Sequence, residues 1–283
     1  MHAPQEQTVV ITGANSGVGF EASRRFAAAG AQVVMVCRDP ERGSAARDAI
    51  RREHADARLV LEIADLASLS SARALGDRLH ESGRIDVLVN NAGVARMELE
   101  FTEDGFERTF ATNHLGHFAL TARVLERLQA SGGRIINVSS EGHRRGDLKR
   151  SSLGDIVRGR IGYNGFQAYC DSKLANVLFA FELDRRCAEQ GITAVALHPG
   201  VLSTRIWNKD SSVGLWFARL LKPFMSRPGV GGDAVHRLAA DPTVATLSGV
   251  YFNVREQVEA AEQAFDEALA RELWELSEQL TAP

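Results

Sequence analysis

Six short apolar runs set the architecture of this chain: TVVIT (8–12), AQVVMVC (31–37), RLVLEIA (58–64), IDVLVN (85–90), RIINVS (134–139) and ITAVALH (192–198). Each is nearly continuous in Val, Ile and Leu instead of alternating with polar residues, the pattern of a strand covered on both faces. Stretches with helical spacing lie between them, such as Phe20, Arg24 and Ala27 ahead of Gly30, and Ala168, Leu174, Val177, Leu178 and Phe181 ahead of Gly191. Strand and helix in alternation specify an α/β fold, a doubly wound parallel sheet with helices on both faces. Ligands bind such sheets beyond the carboxyl ends of the strands. GANSG, NNAG, SSEGH and HPGVLST all follow strands at that end.

At 283 residues the expectation is one domain over 1–283. A formal net charge of −3 gives nucleic acid no reason to bind. The start, MHAPQEQTVV, has no basic segment followed by an apolar one, and no run approaches the roughly 18 apolar residues of a membrane span. Cys37, Cys170 and Cys187 are odd in number, far apart and without a C-x-x-C pair, so neither a disulfide framework nor a zinc knuckle is expected. These features lead us to expect a soluble, cytoplasmic protein. Two segments fall outside the alternation, 141–165, basic and glycine-rich, and 204–229, which holds Trp207, Trp216, Phe217 and Phe224. The first reads equally well as a solvated loop or as a substrate-pocket wall. The second reads as a lid over an apolar ligand or as core.

VVITGANSGVGF (9–20) places Gly13, Gly17 and Gly19 where the first strand passes into the first helix. Glycines at such a bend let the backbone turn sharply and approach a ligand, and the free N–H groups of the new helix favour a pyrophosphate. About 20 residues later, at the end of the second strand, a dinucleotide site reads the adenosine ribose. The sequence there is VMVCRDPER. Arg38 suits the 2′-phosphate of NADP(H), whereas Asp39 would suit the ribose hydroxyl of NAD(H); NADP(H) is the preferred reading, with NAD(H) kept open. Asp65, after the third strand, either caps the helix that starts near Ser68 or meets the adenine.

Of the three tyrosines, Tyr163 meets Gln167 four residues on, Tyr251 meets Arg255 across a strand-like stretch, and Tyr169 meets Lys173 within a predicted helix, which puts both on one face. A phenol with an ordinary pKa near 10 needs about 3 to 4 kcal/mol of help to exchange protons at neutral pH. An ammonium about 4 Å away, at an effective dielectric near 20, offers roughly 4 kcal/mol before desolvation is subtracted.

TGANSGVG, NNAG at 90–93, Asn113 in TNHLGHF, NVSS at 137–140, YCDSK at 169–173 and HPGVLST at 198–204 resemble, in order and spacing, the short-chain dehydrogenase/reductase family with its single Rossmann-fold domain. AYCDSKLANVLF, SGVYFN and ARELWELSEQL look like its retinol dehydrogenase and WW-domain oxidoreductase branch. The resemblance implies a tetrad of Asn113, Ser140, Tyr169 and Lys173. Tyr169 would be the acid or base, Lys173 would lower its pKa and hold the nicotinamide ribose, Ser140 would bind the substrate oxygen, and Asn113 would hold a relay water. Ser139 is the alternative serine, or caps the strand. Around the cofactor the resemblance places Gly13, Ser16, Gly17 and Val18 at the pyrophosphate, Asn90 in the adenosine ribose region and Thr204 at the carboxamide, with Gly19, Asp65, Leu66, Ala92, Gly93, Pro199 and Gly200 completing the expected cofactor-binding set. It also implies a homodimer or homotetramer through the helices that carry Asn113 and Tyr169. The segment before Tyr169 is longer than in many members, and the chain starts at its first strand without the membrane anchor of several members of the branch.

His114 and His117 lack a third ligand, so no metal is expected and they read as packing or surface residues. Ser16 in GANSG misses the G-x-S-x-G of a hydrolase. The closing helix, with Leu269, Leu273 and Leu276, reads as docked. The expected function is an NADP(H)-dependent oxidoreductase interconverting an apolar aldehyde or ketone and its alcohol. A dinucleotide-binding sensor and a carbon–carbon double-bond reductase are the alternatives.

Overall fold

The computed structural model describes residues 4–200 and 228–282. One eight-stranded sheet organises them, built from β1 (Thr8–Thr12), β2 (Gln32–Cys37), β3 (Leu59–Ile63), β4 (Val87–Asn90), β5 (Arg134–Val138), β6 (Thr193–His198), β7 (Val250–Asn253) and β8 (Glu256–Val258). Their order is β3-β2-β1-β4-β5-β6-β7-β8. Neighbours from β3 to β7 pair in parallel, with Val10 of β1 between Val34 and Leu88. β8 returns antiparallel to β7, so the sheet is not parallel throughout.

Burial on both faces explains the continuous apolar runs. Val9, Ile11, Val33, Met35, Val87 and Val89 enter one core, while Val10, Val34, Val36 and Leu88 enter the other. Successive strand side chains point to opposite faces, so a strand with helices on both sides needs apolar residues at every position. The edge strand β3 departs from this pattern, because Val60 and Ile63 stay exposed.

The helices are α1 (Gly17–Ala28), α2 (Pro40–Glu53), α3 (Leu69–Glu81), α4 (Arg108–Phe110), α5 (Gly116–Ser131), α6 (Leu153–Val157), α7 (Gly165–Cys187), α8 (Pro228–Ala240) and α9 (Glu267–Thr281). α1 buries Val18, Ala22 and Phe26 rather than the line from Phe20 to Arg24. The segment 141–165 is not a solvated loop: Leu148, Leu153, Ile156 and Val157 are core residues. Of the segment 204–229, only Pro228 and Gly229 lie among the described residues, at the start of α8. The closing helix docks as expected, with Leu269 and Leu273 buried beside Leu178 and Phe181 of α7. Among the described residues, no helix is long and apolar enough to cross a membrane.

Candidate active site

The strand order reverses between β1 and β4, and the glycine turn lies at that switch point. Gly13 and Gly17 adopt left-handed backbone, φ 66° and 57°, which explains glycine at both. A Cβ on Gly13 would stand 2.9 Å from Ala92 Cα, and one on Gly19 would stand 2.5 Å from both Asn91 Nδ2 and the Gly13 carbonyl oxygen. The glycines therefore let the turn close against the β4 loop.

Among the described residues, the first turn of α1 has no side-chain cap. Ser16 makes no capping bond and no acidic residue lies in the first turn. By contrast Asp39, Ser68, Asn164 and Asp266 cap α2, α3, α7 and α9. An uncapped helix start behind a tight glycine turn has the donor set a pyrophosphate needs. Val18 belongs to the same end, where it and the Pro199 carbonyl both press on Gly231. Gly200 closes the described part of this strand end with φ 94°, and Thr204 lies outside the described residues.

At the end of β2, Arg38 is exposed, whereas the carboxylate of Asp39 accepts from Arg42 N at 3.0 Å. Asp65 is not the cap of α3. Ser68 takes that role by accepting from Ser71 N, and Asp65 accepts from Ala67 N within the preceding turn. Leu66 is a core residue. Asn90 turns its amide into the interior, donating to Thr121 Oγ1 and Asn137 Oδ1.

The four tetrad residues come together at the carboxyl ends of β4 and β5. Asn113 sits in a π turn, Ala111–Leu115, in which Gly116 N bonds the Ala111 carbonyl. Its side chain clasps Val94, accepting from the amide at 2.8 Å and donating to the carbonyl at 2.9 Å, and also donates to Ser172 Oγ. A Cβ on Gly93 would stand 3.3 Å from Asn113 Oδ1 and 3.4 Å from Lys173 Nζ, so the β4 loop lies directly over both. Ser139 donates to the Lys173 carbonyl, while Ser140 bonds the Tyr169 phenol. The two serines thus divide their roles, Ser139 fixing α7 and Ser140 meeting the phenol.

Tyr169 and Lys173 share one face of α7, with Nζ 5.8 Å from the tyrosine ring centre and donating to the Val138 carbonyl at 3.1 Å. Burial pushes Tyr169 up to about 12, against which the Ser140 hydrogen bond acts. Burial also lowers Lys173 to about 8. The lowering expected from Lys173 is not what the structure gives: desolvation raises the phenol, and the Ser140 hydrogen bond is what acts against it.

Reading the sequence missed three residues that brace this site. Thr12 Oγ1 accepts from the amides of Asn91 and Ala92, and His117 reaches both Thr12 Oγ1 and the Asn113 carbonyl. A threonine closing a buried strand just before a glycine turn was the available signal. His114 is a packing residue, bonded to Ser277 on α9.

The model of the short chain dehydrogenase family matches residues 7–213. Human retinol dehydrogenase 13 is 40% identical over 97% of this chain and 84% of its own length, and human retinol dehydrogenase 14 is 38% identical over 96% and 85%. Among solved structures, an uncharacterized protein from Mycobacterium paratuberculosis is 34% identical, with a TM-score of 0.76 over 98% of this chain and 93% of that one. A short chain dehydrogenase from Burkholderia cenocepacia in complex with NADP, 24% identical, shares the fold with a TM-score of 0.71 over 89% and 97%. Fold, motifs and relatives agree, and the chain belongs to the short-chain dehydrogenase family, in the branch of the retinol dehydrogenases, as an oxidoreductase.

Proposed function

We propose that the protein reduces an apolar aldehyde or ketone to its alcohol with NADPH, with Tyr169 as the proton donor. The observation that carries this reading is the hydrogen-bonded pair of Tyr169 and Ser140 at the strand ends beside buried Lys173. Two neighbouring hydroxyl groups at the strand ends are suited to a carbonyl oxygen that gains negative charge as it is reduced. NADP(H), when bound, supplies the hydride. Ser140 orients the oxygen, Tyr169 gives up the phenolic proton, and Lys173 holds the ribose side of the site. A phenol held above its ordinary range enters the cycle as the proton donor that carbonyl reduction requires.

For the cofactor, Gly13, Ser16, Gly17, Val18 and Gly19 would cradle the pyrophosphate, with Ala92, Gly93, Pro199 and Gly200 closing around the nicotinamide half. Arg38, exposed at the end of β2, would take the 2′-phosphate, while one oxygen of the neighbouring Asp39 caps α2. The retinol dehydrogenases among the relatives support an apolar, polyene-like carbonyl as substrate. The three buried, free cysteines suit a reducing cytoplasm.

Turnover of a panel of apolar aldehydes and ketones, including retinal, with NADPH and with NADH tests this reading. Wild type should prefer NADPH, and Arg38→Ala should cut that preference by roughly 10-fold, about 1.4 kcal/mol, through the NADPH term alone. Equal use of both cofactors by wild type and variant would contradict the assignment of Arg38.

A further inference from the structure

His117 lies one turn beyond Asn113, at the start of α5, and is 1% exposed. Its two ring nitrogens face different partners. Nδ1 lies 3.0 Å from the Asn113 carbonyl oxygen, and Nε2 lies 2.8 Å from Thr12 Oγ1. A carbonyl can only accept, so Nδ1 carries the proton, and in the neutral ring Nε2 must then be an acceptor. The Thr12 hydroxyl accordingly donates to Nε2 rather than to the more distant Val89 carbonyl at 3.3 Å. Both lone pairs of Thr12 Oγ1 are then left for the amides of Asn91 and Ala92, each 2.9 Å away. Every donor and acceptor in this buried chain is used once, and each proton position follows from the one before it.

We infer that His117 is a positioning residue that locks the β4 loop, and with it the glycine turn, to the π turn that presents Asn113. Thr12 is the last residue of the strand leading into the glycine turn. Asn91 clasps the Thr12 carbonyl through its side chain at 2.7 Å, and Gly13 packs on Ala92. On the other side, the carbonyl held by Nδ1 belongs to the residue whose side chain supports Val94 and stands beside Gly93. The imidazole is thus the one side chain among the described residues bonded both to Thr12 and to the π-turn carbonyl of Asn113. Buried at 1% exposure, it joins the proposed cofactor half of the site to the proposed proton-transfer half. Its kinetic consequence rests on the reductase reading above, whereas its mechanical consequence does not.

The two arms separate by substitution. An Asn side chain places an amide near the position of Nδ1, and a Gln side chain places one near that of Nε2. His117→Asn therefore keeps the Asn113 arm and abandons Thr12, while His117→Gln does the reverse. Hydrogen exchange on the full chain without cofactor gives the readout independent of activity. His117→Asn and Thr12→Val should speed exchange at Asn91 and Ala92 by roughly 10-fold or more, with β5 unchanged, and His117→Gln should leave those two amides near wild type. In parallel, NADPH fluorescence titration should show Kd raised by roughly 10-fold in His117→Asn and by under about 3-fold in His117→Gln.

Uniformly faster exchange across β1, β4 and β5 in His117→Asn would mark general destabilisation and overturn the inference, as would unchanged exchange at Asn91 and Ala92. If wild type binds no NADPH while the exchange pattern holds, the reductase reading fails and the coupling through His117 stands.

Discussion

Burial moves Tyr169 and Lys173 in opposite directions, and pH separates the two effects. Lys173 is lowered to about 8 in the folded chain against an ordinary value of 10.5, so between those limits the unfolded chain binds more protons and stability rises with pH. Tyr169 is raised to about 12 against an ordinary 10, so above pH 10 the folded chain binds more protons and stability falls as pH rises. Denaturant unfolding of wild type and Lys173→Met should isolate the lysine, with the difference in stability moving in favour of wild type by on the order of 3 kcal/mol between pH 8 and 10.5. A flat difference would show that Lys173 is solvated. At this scale the sequence was informative about which residues meet, because helical spacing pairs Tyr169 with Lys173 and the family resemblance points to Ser140 in NVSS, and the structure brings all three together. It was uninformative about His117 and Asn90, whose roles depend on which neighbours the sheet brings to their polar atoms.

Among the elements, β5 begins with Arg134, a fully buried arginine that bonds no carboxylate among the described residues. Its guanidinium donates to Thr193 Oγ1 and to the carbonyls of Val244, Ala245 and Leu247, tying β5 to the turn ahead of β7. Desolvation lowers it to about 10, yet the ring of carbonyl oxygens satisfies most of its donors. Arg134→Met should cost about 3 kcal/mol or more by leaving several buried acceptors unpaired, measured as a lower denaturant midpoint. A loss under about 1 kcal/mol would mean that the turn finds other partners. The six apolar runs located six strands to within two residues, because burial on both faces writes itself into every position. β7 falls in the strand-like stretch at Tyr251, whereas β8 is too short and too mixed in composition to declare itself. The π turn at Asn113 inserts one residue and so rotates the face that follows by about 100°, which a search for unbroken helical spacing does not capture.

Across the whole molecule, α9 closes over the outer faces of α5 and α7. Trp274 packs on Phe118 of α5 and Phe179 of α7, with ring centres 4.9 and 5.9 Å away, and Ser277 bonds His114. These are the helices through which the family resemblance implies a dimer or tetramer. With α9 lying on them, we expect sedimentation at micromolar concentration to give the mass of one chain, 30.8 kDa; a dimeric mass would require a different face or displacement of α9. The doubly wound order was legible from the alternation of elements. The covering of α5 and α7 was not, because an amphipathic closing helix shows that it docks without showing where. The central claim of the proposed function is that Tyr169 is the acid of an NADPH-dependent reduction. Its most direct test is retinal-dependent loss of NADPH absorbance by wild type and Tyr169→Phe, with NADPH binding measured on both. The expected result is a rate at least about 10²-fold lower in the variant with Kd for NADPH changed by under about 3-fold. Equal rates in the two proteins would contradict it.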